Sequence, residues 1–235
     1  MSESVDSTAY EALRTAILSM ALVPGERLSE RGLEAVTRAS RTPVRAALMR
    51  LENEGLARRE GRGWQVSPID IAEVRAVMEY REAVEAAAVA LAAERATDDE
   101  VTALRALVDA HGASDDEESG LRDGDDFHVA LARLSRNPFL ADAMSGALTR
   151  LRRTRWLEVR TAEARAQARA EHLEIVAAVA ASDAERAARL VAAHSRGTRD
   201  RLLAYLAGER RRLRGRGFSI IESSTTPPPL GSSGD

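Results

Sequence analysis

Along residues 8–22, TAYEALRTAILSMAL, apolar side chains recur at helical spacing: Leu13, Ile17 and Ala21 share one face, and the PGE at 24–26 ends the run. A second short helix is expected after Ser29, whose hydroxyl suits an N-cap, with Leu33 and Val36 turned inward. The third begins in SRTPV. Ser40 caps it, Pro43 is tolerated in the first turn, and Gly55 follows the last periodic residue as a stop. On that helix Val44, Leu48 and Leu51 form an apolar stripe, while Arg41, Thr42, Arg45 and Met49 fall on the flank facing away from it. LARREGRGWQV, 56–66, then reads as two short extended pieces around EGRG, a tight β-hairpin. Three helices and a small wing over 8–67 make a winged helix-turn-helix, and SPID at 67–70 reads as a linker.

From Ile71 the pattern is helical almost throughout, with breaks near Thr97–Asp98, Gly112–Ser119, Asn137–Pro138, Arg160–Thr161 and Ser182–Asp183. Short connections between about six helices predict an all-α antiparallel bundle over 70–207. GASDDEESG, 112–120, reads as an acidic loop. From about Gly208 the chain runs through RRRLRGRG to SSTTPPPLGSSGD, and 208–235 is expected to be a disordered tail. The fold class is therefore mostly α, in two domains.

Composition supports this picture. Hydrophobic residues make up 44% of the 235 and aromatics only 3%, so the cores must be built from Ala, Leu and Val, which favours helices. The absence of cysteine removes disulfides, thiolate catalysis and cysteine-type zinc sites. The first residues are acidic and small rather than a basic segment with an apolar stretch, and no run approaches the ~20 apolar residues of a membrane helix. A soluble, cytoplasmic protein with no membrane partner is expected.

The formal net charge of −3 announces no nucleic-acid partner. All basic residues are arginines, for which a GC-rich codon bias is sufficient reason. Their distribution says more: nine arginines against five glutamates lie between Arg27 and Arg62. Two arginines four apart at a helix start, opposite a buried stripe, suit a helix whose first turns meet base edges and phosphates. A surface helix with two solvated arginines has the same periodicity. In the hairpin, Gly61 and Gly63 would let the backbone approach a phosphate while Arg62 reaches into a minor groove, although a plain surface hairpin reads alike.

Here PGERLSER…SRTPVRAALMRLENEGLARREGRGWQV resembles the DNA-binding domain of the GntR family of bacterial transcription regulators, over roughly residues 10–67. The resemblance implies that Arg31, Ser40, Arg41, Thr42 and Arg45 touch DNA, with Arg62 and Gly63 in the wing. It also implies a homodimer on a palindromic operator, since a single such domain makes few contacts. The sequence departs from the family pattern at the turn, where Thr37 stands for a core leucine and Arg38 for a glycine.

Of the four histidines, at 111, 128, 172 and 194, the last three fall on helices of the second domain. His172 lies ten residues before Ser182 and His194 twelve after it, so in an antiparallel hairpin they differ in height by only ~3 Å. With His128 and Asp125, one helical turn apart, they would suit Zn, Ni or a similar divalent ion, although lone helical histidines are commonly just packed or solvated. YREAVEAAAVALAAERATDDE, DFHVALARLSRNPFL, EHLEIVAAVAASDAERAARLVAAH and the histidine spacings resemble the FCD ligand-binding domain of the FadR-like branch of the same family, over residues 70–207. That resemblance implies a metal held by His128, His172 and His194 beside a pocket for a small carboxylate-type effector. The family's aspartate ligand would fall at Gly124; Asp125 is the expected replacement, with Asp123 or a weakened site as alternatives. Arg81 matches a position that faces the pocket in the family, where its guanidinium could clamp an effector carboxylate. Equally, Arg81 and Glu85 could form a helix pair at i,i+4.

A three-histidine cluster could also serve a metal-dependent hydrolase, but no HExxH-type motif or further general base accompanies it. A winged helix would be unexplained on that reading. The sequence thus predicts an effector-responsive transcription regulator, a repressor, rather than an enzyme.

Overall fold

The computed structural model describes residues 2–110, 117–155 and 161–223, with side chains over 8–35, 37–110, 125–155 and 161–223. His111, most of the expected acidic loop, the break at Arg160, the Val36 side chain and residues 224–235 lie outside the described residues.

The first unit contains α1 (Ser2–Leu18), β1 (Arg27–Leu28), α2 (Glu30–Thr37), α3 (Arg41–Asn53), β2 (Ala57–Glu60) and β3 (Gly63–Val66). Leu13, Ile17, Val44, Leu48 and Leu51 are fully buried in one cluster with Leu33, Trp64 and Val66, as the 3.6-residue periodicity requires. The expected first helix is shorter at its C-terminal end. It stops at Leu18, Met20 turns left-handed at φ 61°, and Ala21 is exposed, because the chain must bend before Pro24 and Gly25. Ser29 caps α2 by accepting from Gly32 N–H at 3.0 Å. Glu60 pairs with Gly63 across a two-residue loop in which Gly61 takes φ 58°, a backbone that a side chain would strain. β1 adds a strand the hydropathy pattern does not announce, giving the antiparallel order β1-β3-β2.

The second unit follows the expected helices: α4 (Ile71–Arg95), α5 (Asp98–Ala110), α6 (Glu117–Leu134), α7 (Pro138–Arg155), α8 (Ala162–Ala180) and α9 (Ala184–Gly215). α4 runs through the middle, antiparallel to α9: Arg196 donates to Glu82 at 2.9 Å near the middle of both helices, and Ser223 N–H, in the chain beyond α9, donates at 3.1 Å to Asp70, the N-cap of α4. Side chains such as Val89, Phe127, Leu131, Ile175 and Val191 form a buried core among α4, α6, α8 and α9.

Two expectations fail where the domains meet. SPID is not a free linker, because β4 (Ile69–Asp70) pairs in parallel with β5 (Ile220–Ile221). Nor is 208–223 a disordered tail: Leu202, Leu206 and Leu213 continue one apolar stripe along α9 into the buried cluster that also takes Ile71, Met78 and Ile220. Basic residues on the other face of α9 masked that stripe in the composition.

β5 also reaches the first unit, with Ser219 N–H donating to Pro24 O at 2.8 Å and Ile69 N–H to Ser219 O at 3.0 Å. Gly25, at φ 89°, lies so close to Ser219 that a Cβ would collide with that residue's Cβ. α7 completes the joint. Arg150 donates to Glu73 at 3.1 Å and to Asn53 O at 3.4 Å, and the buried Arg153 donates to Ser67 O. Burial pushes the Arg153 guanidinium down to about 10. No helix among the described residues is long and apolar enough to cross a membrane.

Candidate functional site

Two sites emerge, one on each unit. On the first, α3 buries Val44, Leu48 and Leu51 and leaves Arg41, Thr42 and Arg45 exposed, with Met49 52% exposed beside them. Ser40 begins the helix in an extended backbone conformation but makes no side-chain cap bond, so its hydroxyl is not consumed by the helix start. Arg41 leans on Glu34 at 3.0 Å. Arg31 and Arg62 are exposed, Gly63 is half-buried in β3, and Arg59 covers the ring of the buried Trp64 at 3.9 Å. The result is a cationic face carried on a packed scaffold, with donors at the first turn of α3 and at the wing.

The turn between α2 and α3 accommodates both departures from the family pattern. Thr37 is 6% exposed; its hydroxyl donates to Leu33 O at 2.8 Å and accepts from Ala39 N–H at 3.3 Å, so a buried polar atom is satisfied within the turn. Arg38 takes the left-handed conformation a glycine would take, φ 54° and ψ 28°.

On the second unit α6, α8 and α9 bring His128, His172 and His194 together, each offering one ring nitrogen within 4.8 Å of the others. Phe127 stacks on His172, with ring centres 4.0 Å apart. Burial, reinforced by neighbouring cations, holds His128 and His172 well below the ordinary imidazole range, so both are neutral. The tautomer of His128 follows from its partners. Arg81 can only donate, and its Nη2 lies 2.7 Å from Nε2; Nδ1 therefore carries the proton and donates to Glu85. The i,i+4 pair of Arg81 and Glu85 is formed, at 3.3 Å and fully buried, and Ser195 donates to the same carboxylate at 3.3 Å. His194 Nδ1 meets Glu171 at 2.6 Å, and this bond draws the Glu171 carboxyl below its usual range.

Asp125, expected beside the histidines, is a correction. Its carboxylate is held by Arg155 and, at 3.6 Å, by Arg152, and it is not a member of the imidazole group. A one-residue shift from position 124 turns the side chain ~100° around the helix, toward the arginines of α7. The imidazole group itself fits a cation: His128 and His172 are neutral, and the buried Nε2 of His172 has no hydrogen-bond partner among the described residues. An ion at His128 would have to take the lone pair that now accepts from Arg81. Sequence reasoning missed Glu171 and Ser195. Glu171 was legible by the same height argument as the histidines, being eleven residues before Ser182 where His194 is twelve after.

A winged helix-turn-helix joined to a helical sensor-type domain defines a two-domain transcription regulator. Residues 6–66 match the bacterial regulatory proteins of the gntR family, and residues 76–197 match the FCD domain. The chain belongs to the GntR family and carries an FCD domain, among transcription regulators rather than enzymes. It is 32% identical over 188 residues to the Nta operon transcriptional regulator of Aminobacter aminovorans, covering 79% of this chain and 88% of that one. It is 26% identical over 196 residues to the HTH-type transcriptional repressor RspR of Escherichia coli, covering 82% and 86%. The fold is shared with the crystal structure of a GntR-type transcriptional regulator from Rhodococcus sp. RHA1, at TM-score 0.70 and 24% identity over 86% of this chain and 98% of that one.

Proposed function

We propose that this regulator is a homodimeric, cytoplasmic repressor that reads a palindromic operator through α3 and the wing and is released by a small carboxylate-bearing effector bound in the helical unit. The observation that carries the DNA-reading part is the division of α3 into a fully buried stripe and an exposed cationic flank of Arg41, Thr42 and Arg45. Arg31, Ser40, Arg62 and Gly63 extend that surface to the helix-turn-helix and the wing. The repressor assignment draws on the name of the E. coli relative.

For the effector, Arg81 is the anchor. A ligand carboxylate would take the place of Glu85 at the guanidinium and pair with it bidentately, with the imidazoles alongside. His128, His172 and His194 would hold a divalent cation, which would supply a Lewis-acid contact for an anionic ligand. Effector binding would change the relative placement of the two winged helices and hence their match to the half-sites.

The test is fluorescence anisotropy with the duplex flanking the protein's own gene. Wild type binds it in preference to random DNA, with strong salt dependence, and Arg45→Ala weakens binding about tenfold or more. Equal binding to both duplexes sinks the reading. Thermal-shift screening with small carboxylic acids, on wild type and Arg81→Ala, tests the effector part, and metal analysis of wild type and His172→Ala tests the cation.

A further inference from the structure

The α2–α3 turn holds an arginine where the backbone suits a glycine. At φ 54° a side chain crowds its own carbonyl, a cost that glycine would avoid. The turn is also fixed on both sides: the Thr37 hydroxyl bonds Leu33 O and Ala39 N–H, and Ser40 starts the next helix directly after. The Arg38 side chain is exposed and makes no hydrogen bond or ion pair among the described residues. The nearest acidic group on α2 that could take it, Glu34, is engaged by Arg41. A strained backbone therefore carries an unneutralised cation at the entrance to the recognition helix. Met20, Arg136 and Ser182 share this backbone conformation, so it is the exposed, unpaired cation at this particular place that calls for a functional reason.

We propose that Arg38 is a DNA-backbone contact, donating its guanidinium to an operator phosphate just outside the bases read by α3. The assignment rests on the DNA-binding reading above. Phosphate contacts of this kind set affinity and register without reading sequence. Arg38 therefore adds equally to binding on specific and random duplexes, and it steepens the salt dependence.

The experiment compares full-length wild type, Arg38→Gly and Arg38→Lys on the duplex flanking the gene and on a random duplex of equal length, across salt concentrations, together with thermal melts. Glycine relieves the backbone, so the melting temperature of Arg38→Gly stays level or rises. Its affinity falls by roughly tenfold on both duplexes, and the log–log salt slope shallows by about 1 per protomer. Arg38→Lys keeps the charge and retains most of the slope. An unchanged salt slope in Arg38→Gly, with wild type binding normally, overturns the assignment. So does a lower melting temperature, which would make Arg38 a structural residue. Failure of wild type to bind either duplex would instead overturn the DNA-binding reading itself.

Discussion

Replacing Ile220 by alanine tests how the two units are joined. Ile220 is 0% exposed and packs in the cluster formed by α4, α9 and the strand pair β4–β5. The substitution removes three carbons, about 2.4 kcal/mol of transfer free energy at ~0.8 kcal/mol per methylene. Incomplete collapse of the resulting cavity adds to this, within the ~2–5 kcal/mol range of buried Ile→Ala changes. The site lies near the end of α9, where relaxation is easier than in the middle of the bundle, so about 2–4 kcal/mol is expected. At roughly 2–4 °C per kcal/mol for a chain of this size, the melting temperature should drop by about 5–15 °C. Urea and thermal unfolding followed by far-UV circular dichroism, at one fixed protein concentration, read this directly. The half-buried neighbour Ile221 supplies the comparison, its alanine variant costing no more than about 1 kcal/mol. If Ile220→Ala melts like wild type, residues 208–223 behave as the free tail that composition suggests, and the joint described above is wrong.

Three further outcomes follow from the same structure. Gly25→Ala introduces a Cβ against Ser219 at φ 89°, and should displace β5 and speed protease cleavage of the C-terminal segment; an unchanged digestion pattern would refute the close approach. His128 and His172 are held neutral in the fold, below the unfolded imidazole value near 6.5. Their contribution is thus complete above about pH 6.5 and lost as pH falls below it, at ~1.4 kcal/mol per pH unit per histidine, so a urea midpoint that does not fall between pH 7.5 and 5.5 would contradict their burial. Arg45→Ala should leave the melting temperature within ~1 °C of wild type while weakening operator binding, since Arg45 is exposed and packs against nothing in the core; a large loss of stability would show a structural role.

What the sequence made legible follows physical range. The stripe of Val44, Leu48 and Leu51, the Ser29 cap and the Gly61 turn are local, decided within one or two turns of chain, and each is found as expected. The histidines were legible because a short turn at Ser182 fixes the relative height of two helices. Asp125 was not, since one residue of helix rotation decides whether its carboxylate meets imidazoles or the arginines of α7. The pairing of β4 with β5 was hidden for a different reason. It joins Ile69 to Ile220 across the whole helical unit, and strands of two residues leave no period to detect. The turn at Thr37 and Arg38 is a mixed case. The departure from the family pattern was visible in the sequence, but only the structure reveals that a threonine hydroxyl satisfies itself there and that arginine accepts a glycine's backbone.

The central claim, that two copies of α3 read a twofold-related operator, is tested most directly by hydroxyl-radical footprinting on the DNA flanking the gene. The account predicts two protected half-sites related by a dyad and separated by about one helical turn, 10–10.5 base pairs, or a multiple of it. At matched protein concentration, protection should weaken equally at both half-sites in Arg45→Ala. A single unpaired patch, or protection spread without regard to sequence, would contradict it.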